Sequence, residues 1–141
     1  MVCLQMLALN LSAQLKKTLH QTFEVGDSIR EIQLELGGEV WARPWAGHNI
    51  LTTSQVELYE ASPAILEHFA VEERRYEIVA DTLGTVLLLR HFDQERRPIR
   101  TRRGQCPEIL HVKVYLPESF APADSLALRW LRRPLQGTPD E

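Results

Sequence analysis

Apolar and polar residues alternate along most of the chain that follows residue 21. A period of two is typical of β-strands that turn one face to a core and the other to solvent. The clearest alternation runs through 31–36 and again through 109–116, where the even-numbered residues of the second stretch are predicted to face inward and Pro117 ends the strand. The stretch 85–92 contains an apolar run with no polar face, which predicts a strand buried on both sides. The pattern therefore predicts a mostly β protein.

Turn and helix signals divide these strands. Gly37 and Gly38 separate the first alternation from the next, which predicts either a hairpin or the corner of a solenoid. A helix is predicted over 62–69, where Ser62 can cap it and Pro63 takes the first helical position. These elements fit an irregular β-solenoid or a sandwich with one short helix, and the pattern alone leaves a barrel open as well.

The first 14 residues have the composition of an export signal. An apolar run over 4–11 is followed by small residues up to Ala13, so signal peptidase cleavage is predicted at Ala13 and Gln14, with a mature chain that starts at Gln14 or Leu15. No Lys or Arg precedes the run, which leaves open an amphipathic helix with leucines along one face, ending near Leu15. The run is shorter than the ~20 apolar residues that span a bilayer.

The predicted organisation follows from these features. Residues 1–14 are an export signal, 15–133 form a single β-rich domain, and 134–141 are a polar tail. With the signal removed, the protein is predicted to be secreted or to lie in the periplasm or outer envelope of a bacterium. An N-terminal helix that stays on the protein would instead predict a cytoplasmic location.

Overall charge and cysteine content narrow the classes of partner and chemistry. The formal net charge is −3 with 25% charged residues, so the overall balance predicts neither nucleic acid nor an anionic membrane as a partner. Cys3 lies in the predicted signal, which leaves Cys106 without an internal disulfide partner. Because no His or Asp is adjacent to Cys106, it is predicted to be a buried or inert thiol.

Residues that often carry catalysis or bind metals are present without the required spacing. The five histidines lack metal-ligand spacing and are predicted to face solvent; they are His20, His48, His68, His91 and His111. Two carboxylate pairs sit beside arginines, which favours surface ion pairs over acid and base roles; they are Glu72 with Glu73 and Asp93 with Glu95. No catalytic residue, metal or cofactor is therefore predicted.

Two groups of residues are candidate ligand contacts. The segment 90–103 is a basic loop in an otherwise acidic chain, and arginines of this kind bind phosphates or sulfated glycans. No aromatic residue interleaves with the arginines of 96–103, which argues against nucleic acid. Trp41 and Trp45 share one face of a regular strand, where they can stack on sugars or pack in a core, and Pro44 indicates an edge strand. The candidate anion or glycan contacts are Arg96, Arg97, Arg100, Arg102, Arg103, Trp41 and Trp45.

The order of several segments is similar to that of a known family. The predicted signal ends in LSAQ, FEV follows at 23–25, GGEVWARPW lies at 37–45 and VKVYLPE at 112–118. Over 22–130 the chain resembles the exported bacterial adhesin domains known as auto-transporter adhesin heads or toast-rack domains. In that family a glycine turn leads into a Val-x-x-x-Trp element, and a late strand ends in Val-Pro or Leu-Pro. The resemblance implies an exported, solenoid-like β domain at the cell envelope and no catalytic residues.

Three functional hypotheses follow. The first is a non-enzymatic, adhesin-like binding or structural module of the cell envelope, with a glycan or another envelope component as its partner. The second is an intracellular α+β protein that binds an anionic ligand through its arginine loop. The third is a small hydrolase, which requires a histidine and a carboxylate within hydrogen-bond reach in a concave pocket.

Overall fold

The structure is a computed structural model that describes residues 14–135. Strands account for 52% of it and a single short helical segment interrupts them, which confirms the mostly β prediction. The strands are β1 (Leu15–Phe23), β2 (Glu31–Glu35), β3 (Glu39–Trp45), β4 (Ile50–Leu58), β5 (Ile78–Leu83), β6 (Val86–His91), β7 (Arg100–Thr101), β8 (Gly104–Gln105), β9 (Glu108–Pro117), β10 (Phe120–Pro122) and β11 (Arg129–Arg132). Helix α1 (Pro63–Glu67) lies between β4 and β5 and continues into one π-helical turn (His68–Glu72).

The strands form two open sheets and one small hairpin. The four-stranded sheet has the order β1-β4-β9-β3, the five-stranded sheet has the order β10-β11-β2-β6-β5, and β7 pairs with β8. The β3–β9 and β2–β6 pairs are parallel, and the other pairs are antiparallel. Neither sheet closes on itself, and the pairing within residues 14–135 does not show the stacked coils of a solenoid.

The two larger sheets share one hydrophobic core. The even-numbered residues of β9, from Leu110 to Leu116, are buried as predicted, while alternate positions of that strand face away from the core. The five-stranded sheet contributes alternate residues of β2 and β6, and Trp130 of β11 is its largest fully buried side chain. Burial of these side chains is the main driving force for folding.

The Gly37–Gly38 segment moves the chain from one sheet to the other. Because β2 and β3 belong to different sheets, the predicted hairpin is wrong. Gly38 has φ +78°, and a Cβ atom there would lie 2.4 Å from the carbonyl oxygen of Leu110. The crossing strand therefore approaches the β9 backbone more closely than any other residue type permits. A hairpin and a crossing between two sheets can both have alternating strands on either side of two glycines. The pattern of residues therefore cannot distinguish these two structures.

Two other local predictions concern the start of helix α1 and the burial of strand β6. Ser62 caps α1 as predicted, since its Oγ accepts a hydrogen bond from the Ile65 N–H at 3.3 Å. Strand β6 was predicted to be buried on both faces, and this is wrong because its residues alternate. Leu87 and Leu89 are buried in the core, whereas Leu88 on the other face is half-buried.

A glutamine side chain links the edges of the two sheets. Gln21 of β1 donates from Nε2 to the Ile78 carbonyl and accepts at Oε1 from the Ile78 N–H, both at 2.9 Å. The amide thus mimics a neighbouring strand for one residue of β5, the edge strand of the other sheet. This link holds one side of the two-sheet core together.

Most of the predicted export signal lies outside the described residues, including Ala13, and so does most of the predicted tail. Gln14 is described and precedes β1, where its Nε2 donates to the Tyr59 hydroxyl at 2.8 Å. Leu15, the last residue of the alternative amphipathic helix, is the first residue of β1. Within residues 14–135, no helix is long and apolar enough to cross a membrane.

Candidate functional site

The outer face of the four-stranded sheet carries an aromatic and cationic surface. Trp41 and Arg43 occupy alternate positions of β3 that point away from the core, and β9 lies beside them in parallel. Register places Lys113 next to Trp41 and Tyr115 next to Arg43. Residues that alternate on one strand and their cross-strand partners share one face of a sheet, so these four side chains form a single surface. We call it the Trp41 face.

The indole of Trp41 is the centre of this surface. It is 36% exposed, and its ring centroid lies 5.6 Å from that of Tyr115 in an edge-to-face arrangement. The Arg43 Cζ atom lies 4.2 Å from the Trp41 ring centroid, and the Lys113 Nζ atom lies 5.7 Å from it. These distances are those of cation–π contacts. Beside the indole is an open groove of about 820 Å³, whose lining includes Gln55.

Some charged side chains on the Trp41 face have a partner of opposite charge, and others do not. His111 pairs with Glu39 at 3.0 Å along the groove. Neither Arg43 nor Lys113, in contrast, has a carboxylate partner among the residues that the structure describes. The exposed indole is therefore flanked by two cations whose charge is available to an anionic ligand.

Trp45 has a different environment. A Cβ atom at Gly47 would lie 2.0 Å from the Trp45 ring, so the indole packs directly against the turn between β3 and β4. Its Nε1 donates to the Asn49 carbonyl at 2.8 Å. Both contacts hold Trp45 onto its own turn, whereas Trp41 is in contact with the neighbouring strand.

The predicted arginine cluster is divided by the fold. Arg100, Arg102 and Arg103 lie on the exposed β7–β8 hairpin, with Arg102 and Arg103 lining a groove of about 550 Å³ beside the start of α1. Arg97 is exposed and pairs with Glu95 at 3.0 Å. Arg96 is turned inward and is half-buried. The structure therefore brings the hairpin arginines together and separates them from Arg96.

A buried polar cluster lies where β9 begins, between the two sheets. Arg75 is 3% exposed and donates to Glu108 from Nε at 2.8 Å and from Nη2 at 3.1 Å. The Tyr76 hydroxyl also donates to the Glu108 carboxylate. Burial alone would raise the pKa of Glu108, but the hydrogen bonds from Arg75 and Tyr76 outweigh it, so the pKa lies below its usual range. Burial also raises the pKa of the Tyr76 hydroxyl, with the nearby Glu108 carboxylate acting in the same direction.

Arg96 and His91 extend this cluster toward a cavity. Arg96 Nε lies 3.8 Å from Glu108, and its Nη1 is buried with no hydrogen-bond partner in the described chain. His91 is 6% exposed, so the prediction that it faces solvent is wrong. Burial lowers the pKa of His91, and the positive charge of Arg96 lowers this pKa further. The Gly37 and Tyr76 carbonyls lie close to the ring and raise the same pKa, but by less. Those carbonyls do not complete a hydrogen bond to either ring nitrogen, and the ring is neutral at neutral pH.

The other histidines and the paired carboxylates lie apart. His20 is within hydrogen-bond distance of the Thr53 hydroxyl at 3.1 Å, and His68 contacts Glu72 at 2.6 Å and Glu73 at 3.4 Å. Glu72 and Glu73 thus lie at the surface, where both contact the same histidine. Over residues 14–135, no three His, Cys, Asp or Glu side chains come together in a way that could hold a metal ion.

Cys106 is buried as predicted, and its thiol donates to the Glu60 carbonyl at 3.5 Å. This contact places the sulfur against the backbone that leads into α1. A buried thiol in such surroundings is inert toward most reagents.

The residue pattern alone does not predict the buried polar cluster, although one feature of β9 points to it. Glu108 is in phase with Leu110 and the other inward-facing residues of β9. A carboxylate in the inward row of a strand requires a buried cation or donor opposite it. The identity of that partner, Arg75, depends on the tertiary fold.

Comparison with protein-family models, with curated proteins and with solved structures gives no match to this chain. The function of this protein must therefore be inferred from the chemistry of its own residues.

Proposed function

We propose that the protein is a non-enzymatic, exported binding module of the bacterial cell envelope and that the Trp41 face binds an acidic glycan. The observation that carries this proposal is the exposed Trp41 indole flanked by Arg43 and Lys113, two cations without carboxylate partners in the described chain. An aromatic ring offers an apolar platform for a sugar ring, and the two cations attract carboxylate or sulfate groups.

Export is supported by the composition of the first 14 residues and by the resemblance to exported adhesin domains. The fold is compatible with such a role because one face of the four-stranded sheet packs on the core and leaves Trp41 and Arg43 on the outer face. Sites built on strands hold their side chains more firmly than sites built on loops. The exposed hairpin with Arg100, Arg102 and Arg103 is a second surface that an acidic polymer can contact.

The proposal is tested by calorimetric titration of the protein with hexagalacturonate and with neutral cellohexaose. We expect saturable binding of hexagalacturonate, no measurable binding of cellohexaose, and about a tenfold loss of affinity in Trp41→Ala. Lys113→Gln should weaken binding about two- to fivefold and reduce its dependence on salt.

The matched control is Leu131→Ala, which removes an exposed apolar side chain from the outer face of the five-stranded sheet. Its affinity should equal that of the unmodified protein. Equal binding by Trp41→Ala and Leu131→Ala, or no binding of hexagalacturonate, would contradict the proposal.

A further inference from the structure

The groove beside Trp41 crosses the strands of the four-stranded sheet instead of following one of them. Its lining includes Trp41 of β3, Lys113 of β9 and Gln55 of β4. These three strands are consecutive neighbours in the sheet, so the groove extends over two strand spacings, or ~10 Å. The surface that a ligand can contact therefore extends well beyond the Trp41 indole.

Two rows of side chains continue in the same direction as far as β1, the opposite edge of the sheet. The first row takes one residue from each strand, each paired with the next, and consists of Trp41, Lys113, Thr53 and His20. The second row lies two residues away along every strand and consists of Glu39, His111, Gln55 and Thr18. All eight residues are exposed or half-buried. Because cross-strand partners share one face of a sheet, the two rows form a continuous outer surface over all four strands.

The part of this surface that is far from Trp41 carries neutral hydrogen-bonding groups. The Nδ1 atom of His20 lies 3.1 Å from the Thr53 hydroxyl, a contact that holds the exposed ring beside β4. Its other ring nitrogen, Nε2, has no hydrogen-bond partner in the described chain. Thr18 adds a hydroxyl on β1, and Gln55 adds an amide on β4. Hydroxyl, amide and imidazole groups can each donate to or accept from sugar hydroxyls.

The charges on the outer surface favour an acidic chain over a neutral one. Two carboxylates point outward from the four strands, and each has a partner: Glu39 contacts His111 at 3.0 Å, and Glu57 contacts Lys16 at 3.7 Å. The two cations of the Trp41 face, in contrast, have no carboxylate partner in the described chain. An acidic chain therefore gains electrostatic attraction at the β3 end of the surface and meets polar groups across the rest of it.

We propose that the Trp41 face is one end of a binding surface that crosses all four strands, and that its ligand is a linear acidic glycan of four or more sugar rings. This inference rests on the glycan function proposed above. One ring stacks on Trp41, and the following rings lie over β9, β4 and β1 in turn. A 1,4-linked sugar ring advances the chain by a length close to the ~4.8 Å between neighbouring strands, so each strand contacts about one ring. His20 and Thr18 hydrogen-bond the ring furthest from Trp41.

The test is an NMR titration of the isotopically labelled protein with galacturonate oligomers of two, four and six units. We expect the tetramer to bind at least about tenfold more tightly than the dimer, and the hexamer at most about threefold more tightly than the tetramer. The tetramer should shift the backbone amides of Thr18 and His20 as well as that of Trp41. The dimer should shift the amides of β3 and β9 and leave those of β1 unchanged.

Variants separate the two ends of the surface. His20→Ala, at an exposed position, should weaken tetramer binding about two- to fivefold and leave dimer binding unchanged, whereas Trp41→Ala should weaken both. His68→Ala is the matched control, since it removes a histidine from the π-helical turn and should change neither affinity.

The possible failures of the two proposals differ. If binding depends on Trp41 but is equally tight for two and four units, or is unchanged in His20→Ala, the four-strand surface is overturned and the glycan function stands. If no oligomer binds in a manner that depends on Trp41, both proposals are overturned.

Discussion

Glu108→Gln is expected to lower the free energy of unfolding by about 3 kcal/mol. The reason is the Arg75 guanidinium, which is 3% exposed and has Glu108 as its ion-pair partner within the described chain. Glutamine keeps the size of the side chain and some of its hydrogen bonds but removes the charge. A buried cation without a counter-charge is among the most destabilising changes that a single substitution can cause.

Urea denaturation at neutral pH measures this effect. Glu95→Gln is the matched control, since it removes the same charge from the exposed pair with Arg97 and should change stability by less than about 0.5 kcal/mol. If the two variants lose the same small amount of stability, the buried pair does not hold this part of the fold together.

The same carboxylate gives the effect a pH dependence of known sign. Because the folded-state pKa of Glu108 is lowered, its contribution is fully present above its unfolded pKa of about 4.3 and is lost as pH falls through the lower folded value. The stability difference between the unmodified protein and Glu108→Gln should therefore be constant near neutral pH and shrink below about pH 4.

Trp130→Ala is expected to cost about 3–5 kcal/mol, because it empties the largest fully buried side-chain position of the core. It also removes the hydrogen bond from Nε1 to the Ala127 carbonyl at 2.7 Å. Trp130 pairs with Ile32 on the neighbouring strand, so the substitution should destabilise the packing of both β11 and β2.

Trp41→Ala is the control for this substitution. Its expected cost is smaller, about 1–2 kcal/mol, since Trp41 is on the outer face of its sheet and loses contacts with Tyr115, Arg43 and Lys113. Chemical denaturation of both variants gives the comparison. Similar losses for Trp130→Ala and Trp41→Ala would show that the core is not shared between the sheets as the structure places it.

The alternation of residues predicted which side of each strand is buried better than which strands are neighbours. The inward row of β9 follows directly from side-chain periodicity. The sequence leaves open whether Trp41 packs in a core or contacts a ligand, and the structure places it on the outer face, opposite Val40 and Ala42. Pairing is a property of the whole fold. Two strands joined by Gly37 and Gly38 look alike in sequence whether they pair or enter different sheets, and only the close approach of Gly38 to Leu110 distinguishes them.

Candidate site residues were separated by their tertiary surroundings. The arginines of the basic loop are indistinguishable by residue type, yet Arg96 packs against Gly37 and the buried cluster while Arg102 and Arg103 remain on a hairpin. Lys113 joined the Trp41 face through the parallel register of β3 and β9. The register between two strands that are far apart in the chain is not visible in the local sequence of either strand. The sequence therefore does not predict that Lys113 lies beside Trp41.

Export is tested most directly by mass spectrometry of the N-terminus of the protein recovered from the fractionated cells of its native host. We expect the protein in the envelope or secreted fraction, with a mature chain that starts at Gln14 or Leu15. A chain that retains Met1 and is recovered from the cytosolic fraction would contradict the proposal of an exported envelope module.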